Sequence, residues 1–161
     1  MPVKSLAFLL LSAGAAQAAC DGPTLRFVES APRDRFELTV GAAALTAVAV
    51  DLRGSAGRLI FDTEDGGTGV EVFQPLRDEG GTQAGSVADG AEAVRVALRA
   101  ATPGTRAAFS IDVDDRNTAS DLGQIRVTGS EMAGARVTFE AADGSTLTAR
   151  FDDSNRAVAC P

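Results

Sequence analysis

From Leu25 onward the apolar residues of this chain recur at every second position, in short runs broken by Gly, Pro, Asp and Asn. Phe36, Leu38 and Val40 alternate with Glu37 and Thr39; Val94, Val96 and Leu98 alternate with Arg95 and Ala97; Phe109, Ile111 and Val113 alternate with Ser110 and Asp112. A two-residue period puts each apolar set on one face of an extended strand, and it is incompatible with the 3.6-residue period of a helix. No stretch after the leader keeps a helical period. Even Gly90 to Ala101, whose letters suit a helix, carries the Val94-Val96-Leu98 alternation. The chain is therefore expected to fold as an all-β protein, a β-sandwich of immunoglobulin-like or jelly-roll type with about ten short antiparallel strands.

The strands can be placed in order. Leu25 and Phe27 mark the first, ended at Ser30-Ala31-Pro32, and Phe36 to Val40 the second, ended at Gly41. Leu45 to Leu52 is denser in apolar residues and reads as a central strand covered on most of both faces. A turn at Gly54 to Gly57 precedes a short strand, Arg58 to Asp62, with Leu59 and Phe61 on one face, and Val70 to Phe73 follows an acidic, glycine-rich loop. Pro75 to Asp89, rich in Gly, Asp and Glu, is expected to be the least regular region. The strands at Val94 to Leu98 and Thr105 to Val113 flank the strong turn signal Pro103-Gly104 and are expected to pair as a hairpin. Another strand is expected near Gln124 to Val127, then a turn through Gly129 to Gly134.

The last hairpin permits a register argument. A two-residue turn at Asp143-Gly144 sets Phe139 against Thr148, apolar opposite polar. A three-residue loop, Ala142-Asp143-Gly144 with Gly144 left-handed, sets Phe139 against Leu147, Val137 against Ala149 and Ala135 against Phe151. The second is favoured, because a slip of one residue sends every side chain to the wrong face. Asn155 then turns the chain into a short terminal strand, Ala157 to Cys160. Six Phe, from Phe27 to Phe151 with Phe73 left aside, supply the bulk of the expected core.

Residues 1–18 read as a cleavable signal peptide: Lys4 gives the positive start, Leu6 to Ser12 the apolar run, and Ala16-Gln17-Ala18 the small-residue cleavage site. The run is too short to span a membrane. Residues 19–161 then form a single domain, periplasmic or secreted. Cys20 near the start and Cys160 near the end are expected to form a disulfide in that oxidising compartment. Acylation of Cys20 is the alternative, and Gln17 stands where a lipidation signal wants a Leu-like residue.

Function is bounded first by what is missing. The chain has no His, Trp or Tyr, which removes Ser-His-Asp and Cys-His catalysis, imidazole-bound zinc and the usual stacking platforms for sugars and bases. Lys4 is the only charged residue in the leader, which leaves fourteen Arg against twenty-two acids and a net charge of −8. Such acidity opposes nucleic acid and anionic membrane surfaces. The remaining catalytic alternative is a carboxylate-pair hydrolase, which needs only two suitably spaced acids.

The candidate chemistry lies at the end of the Phe109 to Val113 strand. Asp112 and Asp114 share its polar face, Asp115 follows, and Asp121 returns from the next loop. Four carboxylates gathered there repel one another unless a cation sits among them, and calcium takes six to eight such oxygens. The loop is not an EF-hand, since Arg116, Asn117 and Gly123 occupy positions five, six and twelve. The G-G-T-G-V-E-V-F run at 66–73 is a single imperfect copy of a glycine-rich calcium repeat that works only when stacked. The other reading of the acidic face is a solvated strand that discourages edge pairing.

The series A-P-R-D-R-F-E-L at 31–38, D-L-R-G-S-A-G-R-L-I-F-D at 51–62, G-V-E-V-F-Q-P at 69–75, I-D-V-D-D at 111–115 and S-E-M-A-G-A at 130–135 resembles a group of small secreted bacterial proteins. Those are labelled as similar to the core protein of a sponge aggregation factor. The resemblance implies calcium-dependent adhesion or extracellular assembly, with a protein, matrix or cell-surface component as partner. The alternative is an extracytoplasmic structural or interaction domain with no metal.

Overall fold

The structure is a computed structural model, described here for residues 20–30, 33–65, 73–83, 85–115, 127 and 129–160. Eleven strands run in order: β1 Thr24–Val28, β2 Asp34–Thr39, β3 Leu45–Asp51, β4 Ile60–Asp62, β5 Arg77–Gly80, β6 Thr82–Gln83, β7 Ala93–Ala101, β8 Arg106–Asp114, β9 Arg136–Ala141, β10 Thr146–Arg150 and β11 Arg156–Val158. They form two antiparallel sheets. One has the order β11-β1-β2-β8-β4, with β5 also paired to β8, and the other the order β10-β9-β3-β7-β6. The all-β sandwich expected from the alternation is the observed architecture. A single helical turn, Gly129–Met132, stands where a plain turn is expected.

The inner faces meet as the alternation dictates. Phe27, Phe36, Phe61, Phe109, Phe139 and Phe151 are all buried, whereas Phe73 is 37% exposed. In the larger sheet Phe27, Phe36 and Phe109 stand in one row across β1, β2 and β8. Their rings pack at 5.2 Å between Phe27 and Phe36 and at 4.9 Å between Phe36 and Phe109. β3 lies at the centre of the smaller sheet, between β9 and β7, and four of its seven residues, Leu45, Ala47, Val48 and Val50, are buried.

The terminal hairpin has the favoured register, with Phe139 opposite Leu147 and Val137 opposite Ala149. The Ser145 carbonyl accepts the Ala141 N–H at 2.9 Å, closing a three-residue loop, and Gly144 has φ of 86°. Asp143 Oδ1 holds the loop by accepting from the Ser145 N–H at 2.8 Å. Phe151 N–H donates to Ala135 at 2.9 Å, continuing the same pairing. Asn155 turns the chain at φ 61°, and β11 then lies beside β1. The Cys20–Cys160 disulfide, with Cα atoms 5.6 Å apart, ties the two ends together there.

Two expectations are corrected. The strands at Val94 to Leu98 and Thr105 to Val113 do not form a hairpin: β7 belongs to the smaller sheet and β8 to the larger, and the Pro103-Gly104 turn carries the chain across the core. Alternation assigns each strand a buried face but not a sheet, and two such faces can meet across a core as readily as lie side by side. The 75–89 region is also more regular than its composition suggests. β5 and β6 lie in it, one in each sheet, and the chain crosses between them at Gly80 and Gly81, with φ of 133° and 77°. Their stability comes from backbone pairing to β8 and β7, to which exposed polar side chains are no obstacle. The strands expected at 70–73 and near 124–127 fall largely outside the described residues, and Val127 itself is buried.

Candidate functional site

The end of β8 gathers carboxylates from three strands. Because Phe109, Ile111 and Val113 face the core, Asp112 and Asp114 must point to the opposite face of the sheet. β4 pairs there, setting Asp62 directly opposite Asp112 and Ile60 opposite Asp114. Directly opposed residues of an antiparallel pair share a face with Cβ atoms about 5 Å apart, so Asp62 and Asp112 are neighbours. Asp34 arrives on the other edge as the first residue of β2, opposite Ile111. Its carboxylate continues the ladder where β2 has stopped: Oδ2 accepts from the Val113 N–H at 3.2 Å and Oδ1 from the Ser30 N–H at 3.3 Å. Asp89 completes the group, accepting from the Thr63 N–H at 3.1 Å and sharing a hydrogen bond with the Asp62 carboxyl.

These groups are withdrawn from water. Asp62 is 2% exposed, Asp114 and Asp115 4% and Asp34 6%, while Asp112 is half-buried. Burial disfavours the charged form, and neighbouring carboxylates raise it further. Burial pushes Asp112 up to about 8, with the charges of Asp34, Asp62 and Asp114 adding to it. Asp34 is pushed up to about 7 by burial, against the pull of its two N–H donors. Asp62 is pushed up to about 6 by burial, then by its hydrogen bond to Asp89 and the charges of Asp89 and Asp114. Among the described residues no arginine pairs with Asp34, Asp62 or Asp112. Asp62 Oδ1 is buried with no hydrogen-bond partner. An orphaned buried carboxylate oxygen is costly, and a proton or a cation is what relieves it.

Of the four aspartates singled out in the sequence, Asp112 and Asp114 belong to this group. Asp115, just past the end of β8, is also buried and donates its N–H to Asp114 Oδ1 at 2.8 Å. It is not among the leading charges acting on Asp34, Asp62 or Asp112. Asp121 lies outside the described residues. Sequence reasoning missed Asp34, Asp62 and Asp89. Only Asp34 leaves a signal, since it stands in phase with Phe36 and Leu38 and so occupies a core-facing position with a charged group.

Calcium chemistry suits an all-carboxylate donor set of this kind, and the orphaned Asp62 Oδ1 is an oxygen with unused acceptor capacity. Among the described residues no group of three or more acidic side chains is already arranged to hold an ion. Also among them, no helix is long and apolar enough to cross a membrane. Comparison with protein-family models, curated proteins and solved structures finds no match to this chain.

Proposed function

We propose that the protein is a non-catalytic extracytoplasmic β-sandwich serving calcium-assisted adhesion or assembly, with calcium entering the Asp34, Asp62, Asp112 and Asp114 cluster. The observation that carries this reading is the buried Asp62 Oδ1, without a partner, beside a strand position where Asp112 faces it. A cation supplies what that oxygen lacks and offsets the cost of charging Asp112 and Asp34, which burial first and neighbouring carboxylates second hold far above the usual carboxylate range. Since three carboxylates are not yet gathered for an ion, binding draws them together, and half-exposed Asp112 is the member with room to turn. The disulfide supports an oxidising compartment.

Thermal unfolding with and without calcium tests the reading. At ten times the dissociation constant a ligand adds about 1.4 kcal/mol, which raises the midpoint of a domain this size by roughly 3–6 °C. A chelator should reverse the rise, and Asp112→Asn should abolish it. A midpoint that ignores millimolar calcium at pH 8 sinks the metal site and leaves the second reading, an interaction domain whose carboxyls are held neutral by protons. The raised values of Asp34, Asp62 and Asp112 favour that second reading over a plain solvated acidic face.

A further inference from the structure

The outer face of the larger sheet carries a second charged feature of the opposite sign. Arg26 on β1 stands opposite Arg156 on β11 and, on its other side, opposite Glu37 on β2; the row runs on to Ala108 on β8 and Gly80 on β5. Arg35 lies one row away opposite Ser110, and Arg106 one row the other way opposite Thr39. The four arginines line one groove of about 830 Å³, together with Glu37 and Glu79. Small Ala108 and Gly80 lower its floor while the long side chains form its walls.

Like charges directly opposite one another on adjacent strands are unfavourable, and the cost is normally removed by a neighbouring acid. Elsewhere in this chain exposed arginines do have such acids. Arg95 holds Glu140 through two bonds of 2.8 and 2.6 Å, and Arg53 holds Asp51 at 2.8 and 2.7 Å. The other cross-strand arginine pair, Arg136 and Arg150, has Asp51 opposite Arg136, and Arg150 donates to the Gly134 carbonyl at 2.6 Å. In the groove the compensation is incomplete. Glu37 is shared by Arg26 at 3.9 Å and Arg35 at 3.6 Å, and neither Arg106 nor Arg156 has an ion pair among the described residues. A protein with a net charge of −7 thus concentrates under-paired guanidinium groups on one open face.

We propose that this face binds an acidic polysaccharide, a chain of uronic acid residues, through carboxylate forks to Arg26, Arg35, Arg106 and Arg156. Guanidinium matches a carboxylate in a bidentate geometry, and arginines spread over four strands about 4.8 Å apart fit a ligand with repeated charges. A sugar polymer fits better than an acidic peptide. The backbone groups beneath the groove are already used in the ladders, so a peptide gains no added strand there, and the lining offers few apolar side chains to anchor one. Glu37 and Glu79 supply acceptors for sugar hydroxyls, and Glu79 already takes the Ser110 hydroxyl at 2.7 Å. With no Trp or Tyr for ring stacking, charge has to dominate recognition. The proposal is independent of the calcium cluster.

The test is titration of polygalacturonate into the full, disulfide-intact protein in low salt with a chelator present, so that calcium bridging cannot contribute. Binding is expected, weakening steeply as salt is added. Arg156→Glu and the double change Arg26→Ala with Arg106→Ala should each weaken it at least tenfold, whereas Arg95→Ala, on the other sheet, should alter it less than twofold. Arg156→Glu puts an acid opposite Arg26 but also beside Asp152, so the variant is read together with its melting curve: a retained cooperative transition with an intact disulfide separates lost binding from lost folding. The proposal is overturned if polygalacturonate fails to bind, if the groove variants bind it unchanged, or if its fully methyl-esterified form binds equally well. Tighter binding of poly-glutamate than of polygalacturonate would overturn it in favour of a protein partner.

Discussion

Asp62 and Asp112 face each other across the β4–β8 ladder, so one carboxylate that is almost fully buried sits directly against another whose pKa is pushed up to about 8. Neither is paired with an arginine among the described residues, and this relationship governs how the molecule should respond to pH.

Stability in chelator should fall as pH rises from about 4 to about 8. Asp34, at about 7 in the folded chain against an ordinary 3.8, binds more protons folded than unfolded across that interval, so raising the pH draws protons from the native state. The contribution is complete below the ordinary value and is lost through the folded one. Asp62, at about 6, acts early in this window and Asp112, at about 8, extends it. Asp34, only 6% exposed, accounts for a loss on the order of 4 kcal/mol at most. Urea unfolding at pH 5, 6.5 and 8 reads the trend; a midpoint that climbs toward pH 8 contradicts it. Asp112→Asn should flatten the slope and stabilise the protein at pH 8.

Calcium affinity should climb over the same interval. An ion entering the cluster must displace the protons held by Asp34, Asp62 and Asp112, so binding releases protons and strengthens as they leave. Calorimetry in two buffers of different ionisation enthalpy counts those protons. Binding with no proton release at pH 6.5 would place the ion elsewhere.

Phe36→Ala should cost about 3–5 kcal/mol. Phe36 is fully buried and its ring lies parallel to Phe109 at 4.9 Å, tilted on Phe27 at 5.2 Å and edge-on to Phe151 at 6.3 Å. Losing it opens the row that joins three strands. Phe73→Ala, at a 37% exposed position, should change stability by less than about 0.5 kcal/mol in the same denaturation assay.

Replacing Cys20 and Cys160 together by Ala should cost about 2–5 kcal/mol. The bridge spans 140 residues of sequence and fastens the ends beside the β1–β11 pair, whose ladder is short, from Arg26 opposite Arg156 to Thr24 opposite Val158. Hydrogen exchange should show the loss first at β11. A double variant as stable as the parent means that the edge ladder suffices without the bridge.

Much of the architecture is legible in the residues because side chains alternate along a strand. The phase of Phe27, Phe36, Phe109 and Phe139 marks their buried faces, and the apolar matches of Val137 and Phe139 select the register of the last hairpin without reference to any other strand. The carboxylate cluster is only half legible. Asp112 and Asp114 share a face by alternation, whereas Asp34 and Asp62 lie far away in the chain and meet them only through the β2–β8 and β4–β8 pairings.

The groove arginines follow the same division. Arg26 and Arg35 are outward-facing by sequence phase alone, yet that Arg156 stands opposite Arg26 follows from β11 closing the edge of the sheet. The sequence by itself determined which residues each strand buries, because burial is read from side-chain chemistry at a fixed period of two. Only the tertiary structure decided which strands are neighbours, and so which charges meet. Strands pair through backbone N–H and C=O groups that nearly every residue carries alike, and those groups leave no mark in the pattern of letters.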